Sequence, residues 1–183
     1  MPAAVAPTPA DLPRTGPMRL VLLGGAPGVG KSTVAREFLS LAADGSVLVQ
    51  WVDVDSLWAH QPWEVTERTT AMVQANLRAV IANADAAGIE LLLVTWVFQD
   101  TSMQDLVRTL APPALPTVSV QLHAEPETWR HRFESDSARP ELDDFYRRRY
   151  IEAQRTPSDH VLHSDGKDAR ALARELGQLL TGC

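Results

Sequence analysis

Between Gly25 and Ser32 the sequence places glycines, one lysine and one hydroxyl at a fixed spacing. The segment reads GAPGVGKS and matches the pattern G-x-x-x-x-G-K-[ST] at every defined position. Glycines permit backbone turns that aim consecutive N–H groups at one anion, and a helix beginning at Lys31 adds the positive end of its dipole. A lysine at this position reaches the β- and γ-phosphates of a nucleotide, and the Ser32 hydroxyl suits Mg²⁺. The pattern therefore predicts a site for ATP and Mg²⁺.

The sequence on both sides of this loop supplies the context that the pattern requires. An apolar run from Arg19 to Leu23 precedes it and is typical of a strand buried on both faces. After the loop, Val34, Phe38 and Leu41 recur at helical spacing. We therefore predict that the nucleotide contacts the whole loop and the start of the helix. The predicted contacts are Gly25, Ala26, Pro27, Gly28, Val29, Gly30, Lys31, Ser32 and Thr33.

Two carboxylates, Asp53 and Asp55, stand at the end of the second apolar run. In open α/β sheets the carboxyl ends of the strands line the ligand crevice, and side chains spaced i and i+2 along a strand point to the same side. We assign Asp53, together with Ser32, to Mg²⁺ and Asp55 to the removal of a proton from an attacking hydroxyl. A solvated turn with a helix cap is the alternative. Asp100, which follows the third apolar run, is a rival metal ligand or the cap of the next helix.

Apolar runs alternate with helical patterns along the chain, which predicts a mostly parallel sheet covered by helices. The predicted strands are Arg19–Leu23, Val47–Asp53, Glu90–Phe98, Thr117–Ala124 and Asp159–His163. The predicted helices are one that closes at Asp44, then 64–87, 103–111, one that starts near Pro126, 144–155, and a last one capped by Asp165. Residues 54–62 are predicted to form a loop.

Composition and charge restrict the class of protein. A length of 183 residues suits one domain, here predicted over residues 18–183 after a disordered tail rich in proline and alanine over residues 1–17. The net charge of −6 argues against a nucleic-acid partner, and the absence of an 18-residue apolar run argues against a membrane span. The single cysteine, Cys183, fits a reducing compartment, so we expect a cytoplasmic protein.

The chain resembles the nucleoside-monophosphate-kinase-like P-loop kinases, specifically the shikimate/gluconate kinase and chloramphenicol phosphotransferase group. The resemblance spans residues 18–181, and its landmarks are GAPGVGKST, WVDVDS and VQLHAEPETWRHRF. It implies a P-loop NTPase fold, which is a three-layer α/β sandwich with a five-stranded parallel sheet in the order 2-3-1-4-5. It also implies a mobile lid over about residues 134–144, with Arg132 on the adenine and Arg139 on the transferring phosphate. The adenine is expected to rest against this lid and residues 163–167.

The chain departs from shikimate kinases where the acceptor would bind. Their glycine triplet after the third strand is absent, and TWVFQD stands there instead, so we expect a different acceptor. Trp58, His60, Trp63 and Trp96 suggest a planar or apolar acceptor, such as a nucleoside or an antibiotic, although ordinary core or lid packing explains them equally well. Residues 147–150 (RRRY) lie where shikimate kinases carry a substrate-binding arginine, yet only one of the three arginines can point inward.

Together these features predict an ATP- and Mg²⁺-dependent phosphotransferase that acts on a hydroxyl of a small metabolite or drug, as a monomer or homodimer. Asp55 is the expected general base, while Lys31, Ser32, Asp53 and Arg139 neutralise charge during an in-line transfer. Two alternatives stay open. One is a kinase for nucleosides or polynucleotide 5′-hydroxyls, and the other is a nucleotide-dependent regulatory ATPase without a phosphoacceptor.

Overall fold

The computed structural model describes residues 17–44 and 47–181. The predicted tail therefore lies outside the described residues, except for Pro17, as does Cys183. Across the described ranges, five parallel strands form one sheet in the order β2-β3-β1-β4-β5. The strands are β1 Arg19–Gly25, β2 Val49–Asp53, β3 Leu91–Thr95, β4 Thr117–His123 and β5 His160–His163. The predicted class and strand order are thus confirmed.

Helices cover both faces of the sheet. They are α1 Lys31–Leu41, α2 Val54–Leu57, α3 Glu67–Ala86, α4 Thr101–Leu110, α5 Pro126–Ser135, α6 Asp144–Arg155 and α7 Ala169–Thr181, and a single 3₁₀ turn, Ala42–Asp44, follows α1. None of the helices in the described part of the chain combines the length and the apolar composition that a membrane crossing needs.

The central strand β1 explains why its sequence is apolar throughout. Side chains alternate between the two faces of a strand. Val21 and Leu23 pack into a cluster with residues of α1, α5 and α7, whereas Leu20 and Leu22 pack into a second cluster with residues of α3 and α4. All four are at most 1% exposed. Because both faces of the sheet are covered, the structure has three layers, as predicted.

The prediction that residues 54–62 form a loop is wrong at its start. Val54–Leu57 forms α2, a single helical turn whose N-cap is Asp53. The Asp53 carboxylate accepts a hydrogen bond from the backbone N–H of Asp55 at 3.2 Å. A turn this short contains too few residues to display a helical period, so the sequence pattern does not reveal it.

The predicted cap of the last helix is also wrong. Asp168, rather than Asp165, caps α7, because its carboxylate accepts a hydrogen bond from the backbone N–H of Ala171 at 2.7 Å. Asp165 instead accepts from the backbone N–H of Glu125 at 3.0 Å. Gly166, with a φ of 68°, turns the chain between the two aspartates and so delays the start of the helix.

Candidate active site

The loop between β1 and α1 occupies the carboxyl edge of the sheet and contains glycines in the left-handed region. Gly25 has a φ of 141° and Gly28 a φ of 83°. A Cβ at Gly25 would lie 2.7 Å from the backbone oxygen of Leu122, and a Cβ at Gly28 would lie 2.9 Å from the Phe133 ring. Both the backbone angles and the surrounding atoms therefore require glycine at these two positions.

A cavity of about 590 Å³ opens beside this loop. Eleven of the thirteen predicted site residues belong to its lining, and the other two, Gly25 and Ala26, do not. The predicted residues in the lining are Pro27, Gly28, Val29, Gly30, Lys31, Ser32, Thr33, Asp53, Asp55, Arg132 and Arg139. The other lining residues are Val34, Val97, Asp136, Tyr146, Lys167, Ala169 and Leu172. Lys167 belongs to the segment on which we expected the adenine to rest.

The ammonium group of Lys31 folds back over the loop. Its Nζ donates hydrogen bonds to the backbone oxygens of Gly25 at 2.8 Å and Ala26 at 3.0 Å. Burial lowers the pKa of Lys31 to about 8; the nearby Asp55 and Asp53 carboxylates oppose this shift, and Arg139 adds to it. A bound anion would favour the charged form, so the site is arranged to receive negative charge.

Ser32 and Asp53 place two oxygen atoms side by side on the cavity wall. The Ser32 hydroxyl donates a hydrogen bond to the Asp53 carboxylate at 2.8 Å. Hydroxyl and carboxylate oxygens are hard ligands, and Mg²⁺ in nucleotide sites takes only one or two such protein ligands, with phosphates and waters completing its shell. The residues present therefore fit the predicted metal.

Asp55 lies on the first turn of α2 and lines the cavity. Its side chain is solvent-exposed in the open cavity, and partial desolvation by the surrounding protein raises the pKa of the carboxyl group. The Asp53 charge raises it further, while Lys31, Arg139 and a hydrogen bond from Trp96 oppose the shift. A raised pKa is typical of a carboxylate that accepts a proton during a reaction.

The fold and this loop can be compared with those of known proteins. No protein-family model matches the chain, and no curated protein sequence matches it. Solved structures do match. The APS kinase of Mycobacterium tuberculosis, solved with AMPPNP and APS, superposes with a TM-score of 0.66 at 18% identity, over 91% of this chain and 99% of that one. A sugar kinase from a Janibacter species superposes with a TM-score of 0.64 at 16% identity, over 90% and 95%.

The shikimate kinase of Acinetobacter baumannii, solved with shikimate, is a further match. Its TM-score is 0.58 at 19% identity, over 90% of this chain and 94% of that one. The chain has the fold of the P-loop small-molecule kinases. In this fold the loop Gly25–Ser32 connects the end of β1 to the start of α1.

Asp100 lies apart from the cavity beside the loop Gly25–Ser32. It caps α4, accepting hydrogen bonds from the Met103 backbone N–H at 3.1 Å and the Ser102 hydroxyl at 2.5 Å. These hydrogen bonds lower the pKa of its carboxyl group. Asp100 does not belong to the described cavity lining. Of its two predicted roles, the structure therefore supports the helix cap.

The two predicted lid arginines line the cavity from different parts of the structure, one from a helix and the other from the segment that follows it. Arg132, on α5, donates hydrogen bonds to the Ser164 hydroxyl at 2.8 Å and the Ser164 backbone oxygen at 2.9 Å, so it ties α5 to the segment after β5. Arg139 lies between α5 and α6, where its Nε is 3.0 Å from the Asp136 carboxylate. Its guanidinium also lies 5.3 Å from the centroid of the Phe133 ring.

The RRRY segment and the predicted aromatic cluster are not brought to the cavity. Arg149 pairs with Glu152 at 2.9 Å, and the hydroxyl of Tyr150 donates to a backbone oxygen. Trp58 and Trp96 pack against the core cluster on the α3 side, and Trp63 is 64% exposed. In the described part of the chain, neither these aromatic residues nor the RRRY segment and Glu152 line the cavity. Only Trp96, through its hydrogen bond to Asp55, acts on a predicted site residue.

Proposed function

We propose that the protein transfers the γ-phosphate of ATP to a hydroxyl group of a small molecule. The observation that carries this proposal is that Lys31 and Asp55 line one cavity. Lys31 supplies positive charge for phosphate, while Asp55, with its raised pKa, supplies a proton acceptor. A protein that only bound nucleotide would need the first group but not the second.

The phosphate loop would bind and orient the triphosphate. Its backbone N–H groups and the N-terminus of α1 favour negative charge, and Lys31 would move from the backbone oxygens of Gly25 and Ala26 to the β- and γ-phosphates. Ser32 and Asp53 would hold Mg²⁺, which when bound neutralises charge on these phosphates. Arg132 and Lys167 line the part of the cavity in which we place the adenine.

Asp55 would act as the general base of the transfer. It takes the proton from the acceptor hydroxyl as the hydroxyl oxygen forms a bond to the γ-phosphorus. The bond between the γ-phosphorus and its bridging oxygen breaks in line, and ADP leaves with that electron pair. Arg139 would stabilise the charge on the transferring group and, with the lid at about residues 134–144, exclude water. We place the enzyme in the cytoplasm.

The test is a measurement of ATP consumption with a panel of sugars, nucleosides, hydroxy acids and antibiotics, using wild-type protein and the Asp55→Asn variant. We expect one chemical class to raise the rate in wild type only. A 5′-phosphorylated nucleoside as product would select the nucleoside-kinase alternative. Hydrolysis of ATP that no alcohol stimulates, and that Asp55→Asn leaves unchanged, would contradict the proposal and favour a regulatory ATPase.

A further inference from the structure

Helix α5 packs directly against the phosphate loop through a tryptophan that the sequence analysis did not assign to the site. The indole Nε1 of Trp129 donates a hydrogen bond to the backbone oxygen of Pro27 at 2.7 Å. Trp129 is only 3% exposed, and its ring stacks on Tyr150 with 4.3 Å between the centroids. The indole is thus held in one place and presents its N–H group to the loop.

Two further residues of α5 contact the next two residues of the loop. Phe133 lies against Gly28, where a Cβ would approach its ring to 2.9 Å. Arg132 donates a longer hydrogen bond, of 3.4 Å, to the backbone oxygen of Val29. Successive loop residues are therefore each contacted by one side chain of α5, and the hydrogen bond from Trp129 is the shorter of the two.

The geometry of the Pro27–Gly28 peptide gives this hydrogen bond a consequence. The cis peptide identified in the described residues is at Gln61–Pro62, so the Pro27–Gly28 bond is trans. In a trans peptide the C=O and N–H groups point in opposite directions. Because the Pro27 oxygen points at Trp129, the N–H group of Gly28 points away from α5. A flip of this peptide would exchange the directions of the Pro27 C=O group and the Gly28 N–H group. The Pro27 oxygen would then point where the Gly28 N–H group now points.

The residues of the loop do little to prevent such a flip. The flip would reverse the sign of φ at Gly28, now 83°, and glycine adopts positive and negative φ about equally well. The turn from Ala26 to Val29, which a hydrogen bond from the Val29 N–H to the Ala26 oxygen closes at 3.2 Å, accommodates either orientation of its central peptide. A side chain outside the loop can therefore decide between the two orientations. Trp129 is placed to do so.

We propose that Trp129 is a positioning residue, which holds the Pro27–Gly28 peptide in the orientation that binds phosphate. This inference rests on the proposed function of the loop. Without the indole hydrogen bond the loop would populate both orientations, and the observed affinity would fall with the fraction of molecules in the binding-competent one. Trp129 would act through the loop rather than by touching the nucleotide.

The test compares the binding of inorganic pyrophosphate and of ATP, by calorimetry, to four proteins. Trp129→Phe keeps a stacking ring but removes the N–H group, and we expect about tenfold weaker binding of both ligands, the usual effect of one hydrogen bond. Trp51→Phe is the matched control, because Trp51 donates an equivalent indole hydrogen bond, of 2.9 Å, to Thr95. We expect its affinities to stay within about twofold of wild type.

Trp129→His separates positioning from packing. The histidine Nε2 occupies the same place in its five-membered ring as the indole Nε1, so this variant restores a donor in a smaller side chain. Positioning predicts that Trp129→His binds pyrophosphate more tightly than Trp129→Phe, whereas packing predicts the reverse order. The reverse order, or wild-type affinity in Trp129→Phe, would overturn the proposal.

The binding data distinguish a failure of the Trp129 proposal from a failure of the proposed kinase function. Wild-type protein that binds neither pyrophosphate nor ATP would overturn both, while tight wild-type binding that Trp129→Phe retains would overturn only the role of Trp129. If Trp129→Phe does not fold, the role of Trp129 is tested instead by hydrogen exchange of the indole N–H groups in the wild-type protein. Pyrophosphate should slow exchange at Trp129 but not at Trp51, and equal rates at Trp129 with and without pyrophosphate would count against the proposal.

Discussion

Two cavities lie at opposite ends of the same sheet and differ in what lines them. The cavity of about 590 Å³ at the carboxyl ends of the strands is lined by charged groups, among them Lys31, Asp55 and Arg139. The groove of about 370 Å³ at the amino ends is lined largely by apolar side chains. Its lining residues include Phe38, Leu41, Val49, Leu91 and Leu180, with Arg19, Glu90 and Arg174.

Helix α1 shows why the two ends differ, because it reaches both. Its first residues, Lys31 and Ser32, line the charged cavity, where the helix N-terminus attracts anions. Its last turn contributes Phe38 and Leu41 to the groove, and both pack against the core cluster shared with α7. In a parallel sheet the carboxyl ends of all strands lie at the same edge. Ligand-binding residues are found at that edge, whereas residues at the opposite edge mainly pack against each other. Substitutions at the two ends should therefore have different effects.

The largest effect is expected for Lys31→Ala at the charged end. Removing the ammonium group should lower phosphoryl transfer by roughly 10³-fold or more, because no other group would neutralise the γ-phosphate in the same position. The thermal unfolding midpoint should change little, since the Lys31 ammonium bonds only to backbone oxygens of the loop. The measurement is ATP turnover alongside a melting curve. Wild-type turnover in this variant would remove the kinase interpretation altogether.

Asp55→Asn should lower kcat by roughly 10²- to 10⁴-fold while leaving the affinity for ATP nearly intact. The pKa of Asp55 is raised, and the base acts only when deprotonated, so wild-type kcat should rise with pH through that pKa. The variant should lack this rise, which a pH profile of kcat measures. A pH profile identical in both proteins would show that another group accepts the proton.

Arg139→Ala should lower kcat by roughly 10²-fold but raise the dissociation constant of ATP much less, because the charge that it stabilises builds up only in the transition state. Its ion pair with Asp136 holds it at the cavity before any ligand arrives. Steady-state kinetics and an ATP titration measure the two effects, and Arg132→Ala is the comparison, expected mainly to weaken nucleotide binding. Wild-type kinetics in Arg139→Ala would exclude the lid from the mechanism.

Asp53→Asn and Asp100→Asn form a matched pair for the metal. Asp53 contacts Ser32 at the cavity, so its loss should raise the Mg²⁺ concentration needed for half-maximal nucleotide binding by roughly tenfold. Asp100 only caps α4, and asparagine caps a helix about as well as aspartate does, so Asp100→Asn should change neither the free energy of unfolding appreciably nor the Mg²⁺ requirement. A Mg²⁺ titration that gives the larger shift for Asp100→Asn would reverse our assignment.

The smallest effect on activity is expected at the apolar end. Leu180 is 5% exposed and lines the groove, so Leu180→Ala should lower the free energy of unfolding by about 2–3 kcal/mol. At a temperature where the variant stays folded, its kcat and KM should remain within about twofold of wild type. Denaturant unfolding and steady-state kinetics check both statements. A marked loss of kcat would show that the two ends of the sheet are coupled.

The local features of the fold were predictable from the sequence. A buried parallel strand must be apolar on both faces, so β1 is visible as an uninterrupted run. The residues of the phosphate loop are adjacent in the chain, so their glycines, lysine and serine form a readable pattern. The position of Asp53 and Asp55 at a strand end was likewise predictable, although only Asp53 lies on β2, while Asp55 reaches the cavity from the first turn of α2.

The tertiary structure decided which distant residues support that loop. Trp129 lies 102 positions from Pro27 in the chain, and their hydrogen bond depends on how α5 packs against the β1–α1 loop. It also decided that Asp100 caps a helix and that Arg147, Arg148 and Arg149 stay out of the described cavity lining. Hydrophobic periodicity and turn residues indicate the local secondary structure of a segment, which depends on residues that are close in the chain. The packing of one segment on another depends on the shapes of both, so it emerges only when the whole chain is folded.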